Sequence, residues 1–314
     1  MESFAGKIAV VTGGGSGMGR ELVVQLAAQG ASVATCDLQV ELLADTVAAA
    51  EAAAPPGTKV TGHRCDVADR ASVDAFRDEV VAQHDTDHVN LVFNNAGIAG
   101  GGSFVLADPA EWERCFGVCW GGVYNCSRAF VPLLVASDDG YLVNTSSVNG
   151  FWAALGPGIA HTAYSTAKFA VKGFSEALLE DFRLNAPHVK VAVVMPGHIG
   201  TNIVANTQRI QTGDGRGLDA MRAELERRGM LPPGTTDEGL ALMMEAMSNM
   251  FRETAPLSAA GAATIILDAV KRGEWRILVG DDAKYLDESV RADPVGAYTA
   301  GATTIPTVAF GADT

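Results

Sequence analysis

A tyrosine and a lysine stand four residues apart in Tyr164-Ser165-Thr166-Ala167-Lys168. Side chains at i and i+4 share one face of a helix, so this phenol and this ammonium point the same way. A free phenol has a pKa of about 10, too high for a base near neutrality. A neighbouring ammonium favours the phenolate and lowers that value, which makes Tyr164 a candidate to exchange a proton with an alcohol or carbonyl oxygen. Upstream, Asn144-Thr145-Ser146-Ser147 offers a hydroxyl that can donate to the same oxygen. Ser147 fits that role, and Ser146 competes for it.

A second chemistry is written near the start of the chain, in Val10-Val11-Thr12-Gly13-Gly14-Gly15-Ser16-Gly17-Met18-Gly19. An apolar strand runs into it, and Leu22, Val23 and Leu26 follow at helical spacing until Gly30. A strand, a glycine-rich turn and a helix N-terminus aim unpaired N–H groups and the positive end of the helix dipole at one point, which suits a phosphate. Glycines supply positive φ and leave room for the ligand. Asp37 ends the next strand, where a carboxylate can accept two hydrogen bonds from a ribose diol and repels a 2′-phosphate. No Arg or Lys stands beside Asp37 or between Gly13 and Gly19, so NAD is favoured over NADP.

These residues need a frame, and the chain supplies one. Strands are expected at residues 8–11, 32–37, 59–65, 89–94, 141–146, 189–195 and 275–279. Helices are expected between them at 20–29, 38–54, 71–84, 109–135, 163–184 and 259–271. The helix from Pro109 to Val135 reads as one long rod, with Trp112, Phe116, Cys119, Val123 and Phe130 on one face. Such alternation predicts an α/β fold, a doubly wound seven-stranded parallel sheet with helices on both faces, as one domain over residues 1–280. Residues 200–257 break the rhythm. Met243, Met247 and Met250 share a helical face there, either as a small core of a helical hairpin or as a lid over an apolar substrate. The small-residue tail, 281–314, is expected to be irregular.

Composition narrows the partners. With Lys+Arg 23 against Asp+Glu 37, the net charge is −14, which argues against nucleic acid and anionic membranes as partners. No apolar run approaches the ~18 residues of a membrane span, and the N-terminus lacks a basic-then-apolar leader pattern. The five cysteines, Cys36, Cys65, Cys115, Cys119 and Cys126, lack metal-ligand spacing and read as reduced, buried thiols of a cytoplasmic protein, with no metal site.

The motifs, taken in order from Lys7 to Thr201, resemble those of the short-chain dehydrogenase/reductase family. The resemblance implies a Rossmann fold and hydride transfer between NAD(H) and a secondary alcohol or ketone. By the same resemblance Thr12, Gly13, Gly15, Ser16, Gly17, Met18 and Gly19 form the phosphate loop, and Asp66-Val67 lies beside the adenine. Asn95, Ala96 and Gly97 of Asn94-Asn95-Ala96-Gly97 border the cofactor, as do Pro196, Gly197, Ile199 and Thr201 of the run after the sixth strand. Tyr164, Lys168 and Ser147 become the catalytic set, with Lys168 also holding the nicotinamide ribose. Phe151 and Trp152, in an apolar loop that lengthens the usual Ser-to-Tyr interval, are assigned to the substrate together with His198. The family is commonly tetrameric, so a homotetramer or homodimer is expected, paired through the long helix. One departure matters: Cys119 stands where the family has an Asn that distorts its helix, exposing a carbonyl that holds a water near the lysine. Asn125, six residues on, lies about 240° around the helix and cannot replace it. Two other readings stay open, a non-catalytic NAD-binding protein and a lyase or epimerase on the same scaffold.

Overall fold

The computed structural model describes residues 1–154, 160–212, 222–223, 225–226 and 231–299. Its frame is a seven-stranded parallel sheet built from β1 (Ile8–Thr12), β2 (Ser32–Asp37), β3 (Val60–Arg64), β4 (Leu91–Asn94), β5 (Gly140–Thr145), β6 (Val189–Pro196) and β9 (Arg276–Val279). The spatial order is β3-β2-β1-β4-β5-β6-β9. Strand order reverses between β1 and β4, which pair from Ala9–Leu91 to Val11–Phe93. A doubly wound sheet opens a crevice beyond the carboxyl ends of the strands at that switch. The central strands are Val-rich and buried on both faces, as helices on each side require.

Each face has its own core. On one, Leu22 and Leu26 of α1 (Gly17–Ala28) meet Ile266 and Val270 of α9 (Ala259–Arg272) over Val11, Phe93 and Val194. On the other, Phe76 of α3 (Arg70–His84) meets Phe130 and Phe182 over Val10, Val92 and Leu142. Helix α2 (Val40–Ala53) packs against α1 and β3. No helix among the described residues is long and apolar enough to cross a membrane.

Two expectations are corrected. The rod expected from Pro109 to Val135 is interrupted: α4 (Pro109–Phe116) and α5 (Gly122–Val135) are joined by a π-helical turn, Gly117–Gly121, with Cys119 at its centre. The tail is not irregular throughout, because Asp281–Ala292 forms a helix, α10, followed by a 3₁₀ turn at Gly296–Tyr298. Two aspartates open α10 and Arg291 lies in its last turn, charges that suit the helix dipole. Ala283 and Leu286 bury its inner face against Val148 and Trp152.

The excursion between β6 and α9 holds β7 (Ile199–Gly200), α7 (Ile203–Thr212), α8 (Asp237–Glu253) and β8 (Leu257–Ser258). Its ends are tied together because β7 pairs with β8. Met243 packs with Leu225, Leu231, Leu240 and Met244 in a small core, so this methionine belongs to packing, while Met250 faces solvent.

Candidate functional site

The crevice above β1 and β4 is a cleft of about 420 Å³, walled by Gly13, Ser16, Gly17, Met18, Asp37, Asp66, Val67, Asn95, Ala96, Gly97 and Thr201 among others. Local chemistry forces the glycines. Gly13 has φ +70° and Gly17 φ +55°, values that L side chains rarely adopt. A Cβ on Gly19 would strike the Gly13 carbonyl and the Asn95 amide, so the helix start could not dock on its own loop. Thr12 works from below. Its hydroxyl accepts the N–H groups of Asn95 and Ala96, each at 3.0 Å, and Asn95 Nδ2 donates to the Thr12 carbonyl at 3.1 Å. The glycine loop and the turn after β4 are therefore one rigid unit. Asp37 caps the cleft, its carboxylate accepting from the N–H groups of Gly15 and Gln39, each at 3.0 Å.

The fit to a dinucleotide rests on this cradle of glycines and loop amides, with a strand-end carboxylate at one side. Residues that the sequence reading missed also line it: Cys36 and Cys65 on the floor, Leu38 and Gln39 beside Asp37, and Ile203 and Asn206 from α7. Asn206 Nδ2 donates to the Ser16 hydroxyl at 2.7 Å, so α7 closes directly on the glycine loop. A three-residue spacing on one helix face just past Thr201 was the available signal. Beneath the site, Asn94 donates to Ser127 and Asn144, and Asn144 donates to Ser175, a buried polar chain that cross-links α5, β4, β5 and α6 (Thr162–Asn185).

At the carboxyl end of β5 the three residues assigned to proton transfer, Ser147, Tyr164 and Lys168, converge. Ser147 is buried, accepts the Asn149 N–H at 3.2 Å, and its hydroxyl acts on the Tyr164 phenol, favouring the phenolate. Ser146, the competing serine, instead donates to the Lys168 carbonyl at 2.7 Å. Lys168 is 3% exposed, its Nζ donating to the Thr145 carbonyl at 2.9 Å and lying 5.3 Å from the Tyr164 ring centre. Burial pushes the Tyr164 phenol up, and the Cys119 thiol adds to that, against the Ser147 hydrogen bond. His161 stacks on Tyr164 with ring centres 4.9 Å apart. Burial holds this imidazole down at about 4, so it is a neutral cover near pH 7.

Cys119 is fully buried, its Sγ donating to the Ile98 carbonyl at 3.2 Å. The Cys115 hydrogen bond holds its thiol below the ordinary value and the Lys168 ammonium helps, both against burial. The π turn is thus present with no amide at its centre, in a segment carrying Gly117, Gly121 and Gly122. Asn125 faces elsewhere, donating to the Val67 carbonyl at 3.0 Å. Because the main chain already has the widened geometry, Cys119→Asn is expected to leave turnover within about threefold, less than ~0.7 kcal/mol of barrier. Steady-state kcat checks this; a rise of about tenfold or more would mean that the cysteine limits proton release.

Two residues assigned to the substrate lie elsewhere. Trp152 is 1% exposed, packs with Val148, Ala283 and Leu286, and donates to the Ala297 carbonyl at 3.1 Å. It anchors the tail helix. His198 is 8% exposed, with Nε2 2.7 Å from the Phe251 carbonyl and its ring 4.4 Å from that of Phe251. It joins the run after β6 to the end of α8. Phe151 is half-buried against the Trp152 cluster. Within Pro196–Thr201, Thr201 lines the cleft and meets Gly17, whereas Ile199 is buried in β7 and Gly197 is pressed against Asp282.

All five cysteines are free and buried, and among the described residues no group of three or more His, Cys, Asp and Glu is placed to hold a metal.

Comparison with known proteins agrees with this geometry. The family profile described as short chain dehydrogenase matches residues 7–211. SadH of Mycobacterium tuberculosis, named as an oxidoreductase, is 38% identical over 291 residues, 93% of this chain and 92% of its own. A short-chain dehydrogenase/reductase from Burkholderia phymatum, solved with NAD, superposes with a TM-score of 0.74 at 27% identity, covering 94% of this chain and 96% of that one. A metagenomic short-chain oxidoreductase solved with NADP has a TM-score of 0.54 at 30% identity, covering 62% of this chain and 83% of that one.

Proposed function

This chain belongs to the short-chain dehydrogenase/reductase family of oxidoreductases, and from that membership we propose that it is an NAD-dependent dehydrogenase of a bulky, apolar secondary alcohol and its ketone. The observation that carries the reading is the convergence of Ser147, Tyr164 and Lys168 at the end of β5, beside the glycine-lined cleft.

When bound, the nicotinamide supplies or accepts the hydride. The chain handles the proton. Tyr164 holds it on the phenol oxygen and gives it to a carbonyl oxygen, or takes it back from an alcohol. Ser147 donates to the same oxygen and steadies developing negative charge. Lys168 places an ammonium under the Tyr164 ring, favouring the phenolate when the proton leaves. The glycine loop would hold the pyrophosphate and Asp37 the adenosine ribose, both away from the chemistry.

The apolar preference is supported by aromatic residues around Tyr164 rather than by the methionines. Trp112 and Phe116 stack 5.2 Å apart and pack in the cluster that includes Tyr164, and Phe104 meets the Trp112 edge. Phe104 and Val105 are 76% and 87% exposed, an apolar loop next to the reacting end of the site.

Cofactor choice tests the reading. Asp37 would meet a ribose diol and repel a 2′-phosphate, so wild type is expected to use NAD(H) far better than NADP(H). Asp37→Ala should weaken NAD and narrow the gap. Arg209 then helps, because its guanidinium sits 3.4 Å from Gln39 on the same rim. The kcat/KM ratio for the two cofactors measures this, and equal or better use of NADP(H) by wild type would contradict it.

A further inference from the structure

The run Pro196-Gly197-His198-Ile199-Gly200-Thr201 delivers Thr201 to the cleft, and it is held from behind by a part of the chain outside the family profile. Asp282, in the first turn of α10, accepts the His198 backbone N–H on Oδ2 at 2.6 Å, across 84 residues of sequence. Its carboxylate occupies the space that a Cβ on Gly197 would take, and it crowds Gly280, which has φ +105°. Gly197 in turn donates to the Val279 carbonyl at 2.9 Å. From the other side, the His198 ring is tied to the Phe251 carbonyl, and Ile199 pairs with Leu257.

We propose that Asp282 is a positioning residue of the cofactor site, setting the Pro196–Thr201 run in the conformation that receives the dinucleotide. The inference rests on the dinucleotide reading of the cleft. An acidic residue in the first turn of a helix ordinarily answers the helix dipole. Asp281 already does so, fully out in solvent and paired with Lys284 Nζ at 2.9 Å. Asp282 differs in every respect. It turns inward, its Oδ1 is buried without a hydrogen-bond partner among the described residues, and two glycines make room for it. Burying an unpaired carboxylate oxygen costs stability, so helix charge alone does not account for its placement. The bond it does make is charge-assisted and short, and it acts on the main chain one residue before β7. Loss of that bond frees the run on the tail side while the His198 and β8 ties remain, so the effect falls on cofactor affinity and not on the proton-transfer groups.

NADH titration by fluorescence, with KM for NAD and kcat at saturation, tests this on the full chain. Asp282→Ala and Asp282→Ser are each expected to weaken NADH binding and raise KM for NAD about tenfold, with kcat within about twofold. The serine variant keeps a good residue at the helix start, so it remains informative if the alanine variant fails to fold. Asp282→Asn should restore most of the affinity, because its amide oxygen still accepts the His198 N–H. Asp281→Ala should bind as wild type. Unchanged binding in the Asp282→Ser variant, an Asn variant as weak as Ser, or an equal loss in Asp281→Ala would each overturn the inference. A wild type that binds neither NADH nor NADPH would overturn the dinucleotide reading and this inference with it, a result distinct from wild-type and variant proteins that bind equally.

Discussion

Tyr164→Phe is expected to keep NADH binding and lose turnover by at least about 10²-fold, the usual cost of removing a general acid–base group. The phenyl ring preserves the stack on His161 and the packing against Ala163 and Cys119, so the loss isolates the hydroxyl. The pH profile carries the mechanism. Because burial raises the Tyr164 phenol above its ordinary value, the resting group is protonated near neutrality. Ketone reduction starts from that protonated form. Alcohol oxidation needs the phenolate, whose fraction grows about tenfold per pH unit below the group's pKa, so oxidation should climb with pH while reduction should not. In Tyr164→Phe that rising limb should vanish along with the rate. Near-normal turnover in the variant would remove Tyr164 from the mechanism and point to another base.

Lys168→Met is expected to cost about 10²-fold in oxidation at neutral pH and to move the rising limb toward higher pH. Methionine fills a similar volume without the charge. In the native site the ammonium is 3% exposed and 5.3 Å from the phenol ring, where little water screens it. A nearby positive charge favours the phenolate, so its removal raises the phenol further and starves the oxidation direction of base. The sign separates this role from a purely structural one. A variant that only loosened the fold would lose activity with its pH dependence unmoved. Oxidation profiles of wild type and variant, measured side by side, check the shift.

Legibility in the sequence followed the range of the interactions. The glycine loop and the Tyr164/Lys168 pair are local: positive φ, close approach and i,i+4 spacing each demand a residue type within a few positions. The parallel sheet followed from alternation, because parallel strands need a crossover helix between them. What failed was set at long range. Trp152 and His198 are aromatic residues near the site, and such residues read alike whether they face a ligand or a distant backbone group. Their partners, Ala297 and Phe251, lie 145 and 53 residues away. Periodicity alone read straight through the π turn, because the helix's apolar residues continue on both sides of it; only the family resemblance marked Cys119 as a place of helix distortion. The tail helix did leave a trace: Ala283, Leu286 and Val290 at helical spacing behind two acidic residues, masked by the small-residue composition that follows.

The central claim is hydride transfer at this site, and stoichiometry tests it most directly. Purified protein, incubated with NAD and a panel of secondary alcohols, is followed at the absorbance of reduced nicotinamide while the ketone is quantified. One NADH per ketone, fastest with lipophilic alcohols and abolished in Tyr164→Phe, is the predicted result. An inverted or eliminated product, formed with neither net NADH nor ketone, would place the chemistry in the epimerase or lyase class, and bound NAD with no turnover of any alcohol would leave a cofactor-binding protein; either result contradicts the account.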